Sequence, residues 1–255
     1  MKRLLTAITF LTRLPLPTPK SARVEDIGRS TPFFTLVGLL IGLILVGVER
    51  FSSLIWPPPA VYVVLVVSLV VVTGGLHLDG LMDTCDGIFS GRERERILEI
   101  MRDSRVGAFG VLSAFCLVLL KVAFLSVVHS RSGCAALLLF PMLGRWSMVW
   151  AIVLFPYART SPGLGKPFTE FARKSYLVWA SFPVIVIAVP LLMWQSISVL
   201  IVVGIAAWLL GKWFSHKLGG LTGDNYGAIC EITETLSLMV MCIDYSSCAS
   251  ARLHI

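Results

Sequence analysis

Seven stretches of the chain, 32–50, 58–78, 106–128, 133–155, 176–194, 196–214 and 227–247, are long and apolar enough to read as membrane helices. A helix needs about 20 such residues to cross the hydrocarbon of a bilayer. Inside lipid only helices and closed barrels satisfy their own backbone hydrogen bonds. The expectation is therefore an all-α, polytopic membrane protein, one membrane-embedded domain over 1–255 with about seven transmembrane helices. Composition agrees, with 56% hydrophobic and 15% charged residues, against about 25% charged in soluble domains. The same numbers exclude disordered, coiled-coil and disulfide-scaffold classes. The last stretch carries Glu231 and Glu234 and is the weakest on hydropathy.

The net charge of +7 reads first as a nucleic-acid signal, but in a membrane protein Lys and Arg collect on cytoplasmic loops. Seventeen of them fall on one side of the spans, in 1–31, 79–105, 156–175 and 211–226; the other side has Arg50, Arg131 and Arg252. The charge is thus an orientation code, with no nucleic-acid partner expected. It puts the N-terminus in the cytoplasm and the C-terminus on the far side. Residues 4–16 are apolar but short and contain Arg13. No small-residue cleavage site follows, so an interfacial helix with its apolar face in lipid is expected instead of a signal peptide. Gly38 and Gly42 form a G-x-x-x-G pair suited to close helix contact. The six cysteines (Cys85, Cys116, Cys134, Cys230, Cys242 and Cys248) contain no C-x-x-C pair and read as small buried hydrophobes.

Chemistry concentrates after the second span, in GGLHLDGLMDTCDGIFSGRERERILEIMRDSRVG over 74–107, with 79–105 expected as a cytoplasmic catalytic loop. Asp79, Asp83 and Asp86 stand at i, i+4 and i+7, one face if the chain is helical. Their mutual repulsion calls for a cation, and clustered oxygen donors suit Mg²⁺ or Mn²⁺. A solvated acidic loop is the plain alternative. His77 lies nearly opposite the aspartates and reads as an interfacial or supporting residue. Arg92–Arg96 alternates in sign, as on a solvated helix face. Arg102 and Arg105, with Asp103 between them, stand where a phosphate near the aspartates could be held. Two further polar islands share the predicted side. Arg159 and Lys166 flank a Gly-Pro turn, an anion site or an ordinary basic loop. Asp224 and Asn225 precede Glu231 and Glu234, which offer a second cation site or a polar pocket wall, or else pair with Arg145. Ionisable groups inside membrane helices point to function. The pattern suits metal-assisted transfer on a phosphate or pyrophosphate substrate.

The long central run, with FLTRLPLP at the N-terminus, GRW at 144–146, PYARTSPGLG at 156–165 and GGLTGDNYGAICEITE at 219–234, resembles the cobalamin synthase (adenosylcobinamide-GDP ribazoletransferase) family over nearly the whole chain. The resemblance implies that adenosylcobinamide-GDP is joined to α-ribazole or its 5′-phosphate. The products are adenosylcobalamin, or its phosphate, and GMP. It also implies Mg²⁺ as cofactor and the bacterial inner membrane as location. Asp79, Asp83 and Asp86 would be catalytic and metal-holding. Arg102, Asp103, Arg105, Arg159, Lys166, Asp224 and Asn225 would bind substrate. Membrane lipid, other nucleotide-loop assembly enzymes and a second copy of the chain are candidate partners. Two rival functions are a CDP-alcohol phosphotransferase, which would release CMP, and a cation-coupled transporter using Glu231 and Glu234.

Overall fold

The computed structural model describes residues 2–17, 24–159 and 165–243. Its elements are α1 (Lys2–Leu11), α2 (Val24–Gly28), a 3-10 turn at Thr31–Phe33, α3 (Phe34–Ser52), α4 (Pro58–Thr73), α5 (Leu76–Phe89), α6 (Arg94–Ile100), α7 (Ala108–Ser132), α8 (Cys134–Leu154), α9 (Lys166–Glu170), α10 (Ser175–Leu192), α11 (Gln195–Leu218) and α12 (Gly223–Met241). The described residues contain no strand, only an isolated bridge between Tyr157 and Leu221. The all-α polytopic expectation holds. Apolar side chains such as Val67, Phe115, Trp179 and Phe182 are left exposed on α4, α7 and α10, as lipid-facing surfaces require.

The helix count differs from the sequence expectation. Five helices are long and apolar enough to cross a membrane, six if α4 and α5 form one bent span. The 90° bend between that pair arises at Gly74 and Gly75, whose φ angles of 63° and 71° suit glycine far better than a residue with a Cβ. Arg13 clamps the bend: its N–H donates to the Val72 carbonyl at 2.7 Å. α5 therefore runs perpendicular to α4. The expected loop over 79–105 is accordingly mostly helix, the rest of α5 followed by α6.

α12 carries Asp224, Glu231 and Glu234 in 19 residues, too polar to face lipid. It is shielded instead, packed against α5, α7, α8 and α11, with Ile229, Thr233, Glu234 and Leu238 fully buried. The close approach of α5 depends on Gly80, where a Cβ would lie 2.7 Å from the Asp224 carbonyl oxygen. Gly80→Leu should separate the two helices and cost about 1–3 kcal/mol as overpacking does, measured as a lowered unfolding temperature in detergent. Gly38 and Gly42 do bring α3 onto α8, with added Cβ atoms 2.5 Å from Met142 Cα and 2.7 Å from Leu138 Cα.

The N-terminal helix corrects another expectation. Thr6, Ala7 and Leu11 of α1 are buried, and Phe10 packs edge-on to Phe168 at 4.8 Å between ring centres. This face of α1 meets protein, not lipid. Of the cysteines, Cys230 is buried, Cys85, Cys134 and Cys242 are half-buried, and Cys116 is exposed on α7; all five are free thiols. Cys248, Lys20, Arg23 and Arg252 lie outside the described residues.

Candidate active site

α5 stays helical through the three aspartates, which places Asp79, Asp83 and Asp86 on successive turns of one face. Their surroundings make them unequal. Asp86 is anchored, accepting from the Gly107 N–H and the Gly110 N–H, both at 2.8 Å. These amides, one just before and one in the first turn of α7, sit where a carboxylate is favoured by the helix dipole. Asp83 is half-buried, and burial, followed by the charges of Asp79, Asp224 and Asp86, pushes its carboxyl up to about 7. Asp79 stands in the first turn of α5 beside a cavity that Asp224 also lines.

Asp224 comes from the start of α12, held by a capping box. Thr222 N–H donates to Asn225 Oδ1 at 2.9 Å, and Asn225 N–H to Thr222 Oγ1 at 3.3 Å. The segment after α8 is stitched to this cap by Ala158 N–H to the Leu221 carbonyl (2.9 Å) and Leu221 N–H to the Pro156 carbonyl (2.8 Å). That brings Arg159 Nη2 to 2.9 Å from Asp224 Oδ2. Burial pushes the Asp224 carboxyl up, against the pull of Arg159. Arg94, Arg102 and Arg159 line a neighbouring groove.

Several expected site residues are occupied otherwise. Asn225 is fully buried, and its Nδ2 donates to Thr84 Oγ1 of α5 at 3.2 Å, so it locks α12 to α5 and does not face a ligand. Asp103 and Arg105 pair with each other at 2.8 Å on the surface, which holds the Asp103 carboxyl down to about 2. Lys166 lies 3.6 Å from Glu170 on α9. Residues 160–164, the turn between Arg159 and Lys166, lie outside the described residues. Glu231 and Glu234 are not open to a second cation: Lys121 of α7 reaches Glu231 at 2.5 Å and also Glu234, and Arg145 of α8 pairs with Glu234. Of the alternatives, the Arg145 pairing describes them, with Lys121 added.

Some residues escaped the sequence reading. Arg94, taken as part of a solvated face, ties three elements together through the Leu218 carbonyl (Nε, 2.6 Å) and the Ala158 carbonyl (Nη2, 3.2 Å). No local signal marks it. Lys121, a lone cation in an apolar span, carried a signal that went unused. His77 is buried, not interfacial. It lines the cavity of about 130 Å³ that Phe10, Phe34, Met148, Phe168 and Tyr226 enclose beside Asp79 and Asp224.

Asp79 and Asp224 line the aromatic cavity, and Arg159, paired with Asp224, joins it to the groove that Arg94 and Arg102 line, an arrangement suited to an anionic group bonded to a flat apolar one. Comparisons with known proteins agree with this chemistry. The cobalamin-5-phosphate synthase family matches residues 3–242. Proteins named adenosylcobinamide-GDP ribazoletransferase are similar over most of their length. The one from Roseiflexus sp. (strain RS-1) is 43% identical, covering 92% of this chain and 87% of the relative. That from Desulforamulus reducens is 42% identical, over 90% and 91%. That from Acetivibrio thermocellus is 38% identical, over 94% and 97%. No solved structure matches the chain. A family match running almost end to end, with relatives this similar over nearly their whole length, establishes that the chain belongs to the cobalamin-5-phosphate synthase family.

Proposed function

We propose that the chain is an adenosylcobinamide-GDP ribazoletransferase, joining adenosylcobinamide-GDP to α-ribazole or its 5′-phosphate at the final assembly stage of cobalamin. The ribazole hydroxyl oxygen bonds to the corrinoid-side phosphorus, the bond to the GMP oxygen breaks, and the hydroxyl proton passes to a carboxylate. The observation that carries this reading is the meeting of Asp79, Asp83 and the Asp224–Arg159 pair beside one aromatic cavity.

Asp83 is the base, half-buried among three other carboxylates and able to take the hydroxyl proton on the oxygen that a bound cation leaves free. Arg159 and Arg102 hold phosphate oxygens. Arg105 and Lys166 can join them by releasing Asp103 and Glu170. Asp86 fixes the start of α7, which keeps α5 in place.

The residues fit Mg²⁺. Asp79 and Asp83, with Asp86 behind them, offer only hard oxygen donors, and their mutual repulsion is what a cation would relieve. Among the described residues no three His, Cys, Asp or Glu side chains form a ready cage; Mg²⁺ usually takes one or two carboxylates and completes its shell with waters and substrate phosphates. When bound, it supplies charge neutralisation at the pyrophosphate. A cation would displace the Asp83 proton, so Mg²⁺ affinity should rise about 10-fold between pH 6 and pH 8 and level off above that. Calorimetric titration at the two pH values checks this, and equal affinities would remove Asp83 from the ligand set.

The seventeen-to-three distribution of Lys and Arg supports a cytoplasmic N-terminus and active site, in the inner membrane of a bacterium. The deciding assay combines purified protein, adenosylcobinamide-GDP, α-ribazole 5′-phosphate and Mg²⁺. Equal amounts of GMP and cobalamin phosphate are expected. No GMP, or CMP released from CDP-diacylglycerol instead, would overturn the reading.

A further inference from the structure

We propose that the aromatic cavity is the pocket for the flat, neutral nitrogen heterocycle of the acceptor, whose unprotonated ring nitrogen accepts a hydrogen bond from His77 Nε2–H. This rests on the ribazoletransferase reading and adds to it a specificity-determining residue.

The tautomer of His77 follows from its neighbour. Arg145 Nη2 lies 3.3 Å from His77 Nδ1, and a guanidinium only donates, so Nδ1 accepts and the proton sits on Nε2. Nε2 is buried and has no hydrogen-bond partner in the protein. Buried donors are almost always satisfied, and an orphan calls for an explanation such as a ligand. His77 forms part of the cavity wall. The other polar side chain deep in that wall, Tyr226, is already bonded to Thr169 at 2.9 Å.

The shape of the cavity selects the ligand. Phe10, Phe34 and Phe168 meet there edge to face, at 4.8 Å and 5.3 Å between ring centres, with Met148 and Ile152 beside them. A cavity of about 130 Å³ is close to the size of an engineered apolar cavity that takes benzene, so it admits the six-membered ring of a fused base and leaves the nitrogen-bearing ring towards its mouth. An inserted ring would extend the edge-to-face packing. An anion is disfavoured by Asp79 and Asp224 in the lining, and a protonated ring because its N–H would face the His77 Nε2–H, donor against donor. A pure hydrocarbon would leave Nε2–H unpaired. A neutral heteroaromatic base with one bare ring nitrogen satisfies all three conditions. The base of α-ribazole is of this kind, one ring nitrogen bearing the sugar and the other bare. Seated here, it would direct its sugar toward Asp79 and Asp83.

The test is a binding measurement on the full chain in detergent, without the corrinoid substrate. The probes are α-ribazole and its indole counterpart, in which the bare nitrogen is replaced by C–H. The wild-type protein should bind α-ribazole at least 10-fold more tightly. His77→Leu should abolish that preference while binding the indole riboside as the wild type does. His77→Gln should keep most of the preference, because its carbonyl can accept from Arg145 while its amide donates. Equal affinity of the wild type for both ribosides would overturn the proposal without any variant, as would an undiminished preference in His77→Leu. A His77-dependent preference in a protein that releases no GMP from adenosylcobinamide-GDP would sink the transferase reading and leave the pocket standing. GMP release with no such preference would do the reverse.

Discussion

Asp83→Asn should lower the rate of GMP release by about 10²–10⁴-fold, the usual contribution of a positioned general base. The amide keeps the size of the side chain but cannot take the hydroxyl proton. Asp83 is singled out by its surroundings: burial and three neighbouring carboxylates hold its proton affinity near neutrality. Asp86→Asn serves as the contrast. The Asp86 carboxylate accepts from two amides of α7, and an amide side chain offers only one acceptor oxygen to that pair. Its main expected effect is a lower unfolding temperature, with activity falling as the fold loosens. Single-turnover rates and thermal unfolding of the two variants separate these roles. Full Mg²⁺-dependent turnover in Asp83→Asn would remove it from the chemistry.

Glu234→Leu should destabilise the protein by about 3–5 kcal/mol, the usual cost of removing one partner from a buried ion pair. Lys121, Arg145, Glu231 and Glu234 form a balanced set of two cations and two anions inside the helices, and Glu234 touches both cations. Its loss leaves one positive charge uncompensated where water is scarce. The double change Lys121→Met with Glu231→Leu leaves Arg145–Glu234 paired and neutral, so it should retain most of the wild-type stability. Replacing complete buried pairs by apolar residues is often neutral or better. Thermal unfolding after reconstitution into lipid measures both. A Glu234→Leu protein as stable as the wild type would mean that these charges are solvated. The network also bears on transport: the carboxylates that would have served as a cation site are held by fixed cations.

Much of the fold could be read along the chain. Hydropathy delimited α3, α7, α8, α10 and α11 to within a few residues, because each is apolar over its own length, whether it faces lipid or, like α8, is packed inside the bundle. The polar helix α12 was the weak point of that reading: its acids are tolerable only because neighbouring helices cover them, which hydropathy cannot report. The bend between α4 and α5 had a visible cause in Gly74-Gly75, yet its 90° angle depends on how α5 lies against α12. α1 looked amphipathic, and amphipathicity alone cannot tell a lipid partner from a protein one.

The same division runs through the candidate site. Sequence alone determined the membrane class, the family resemblance and the shared face of Asp79, Asp83 and Asp86, since periodicity and hydropathy are properties of adjacent residues. Tertiary structure decided what each polar group does. It turned Asp86 into an anchor for α7 and Asn225 into a lock between α12 and α5. It gave Glu231 and Glu234 to Lys121 and Arg145, and it left His77 with one nitrogen engaged and the other unsatisfied. The physical reason is that the chemistry of a carboxylate or imidazole is set by the charge and hydrogen-bond partner it meets. Here those partners come from distant parts of the chain, Lys121 lying 110 positions from Glu231 and Arg145 lying 68 from His77.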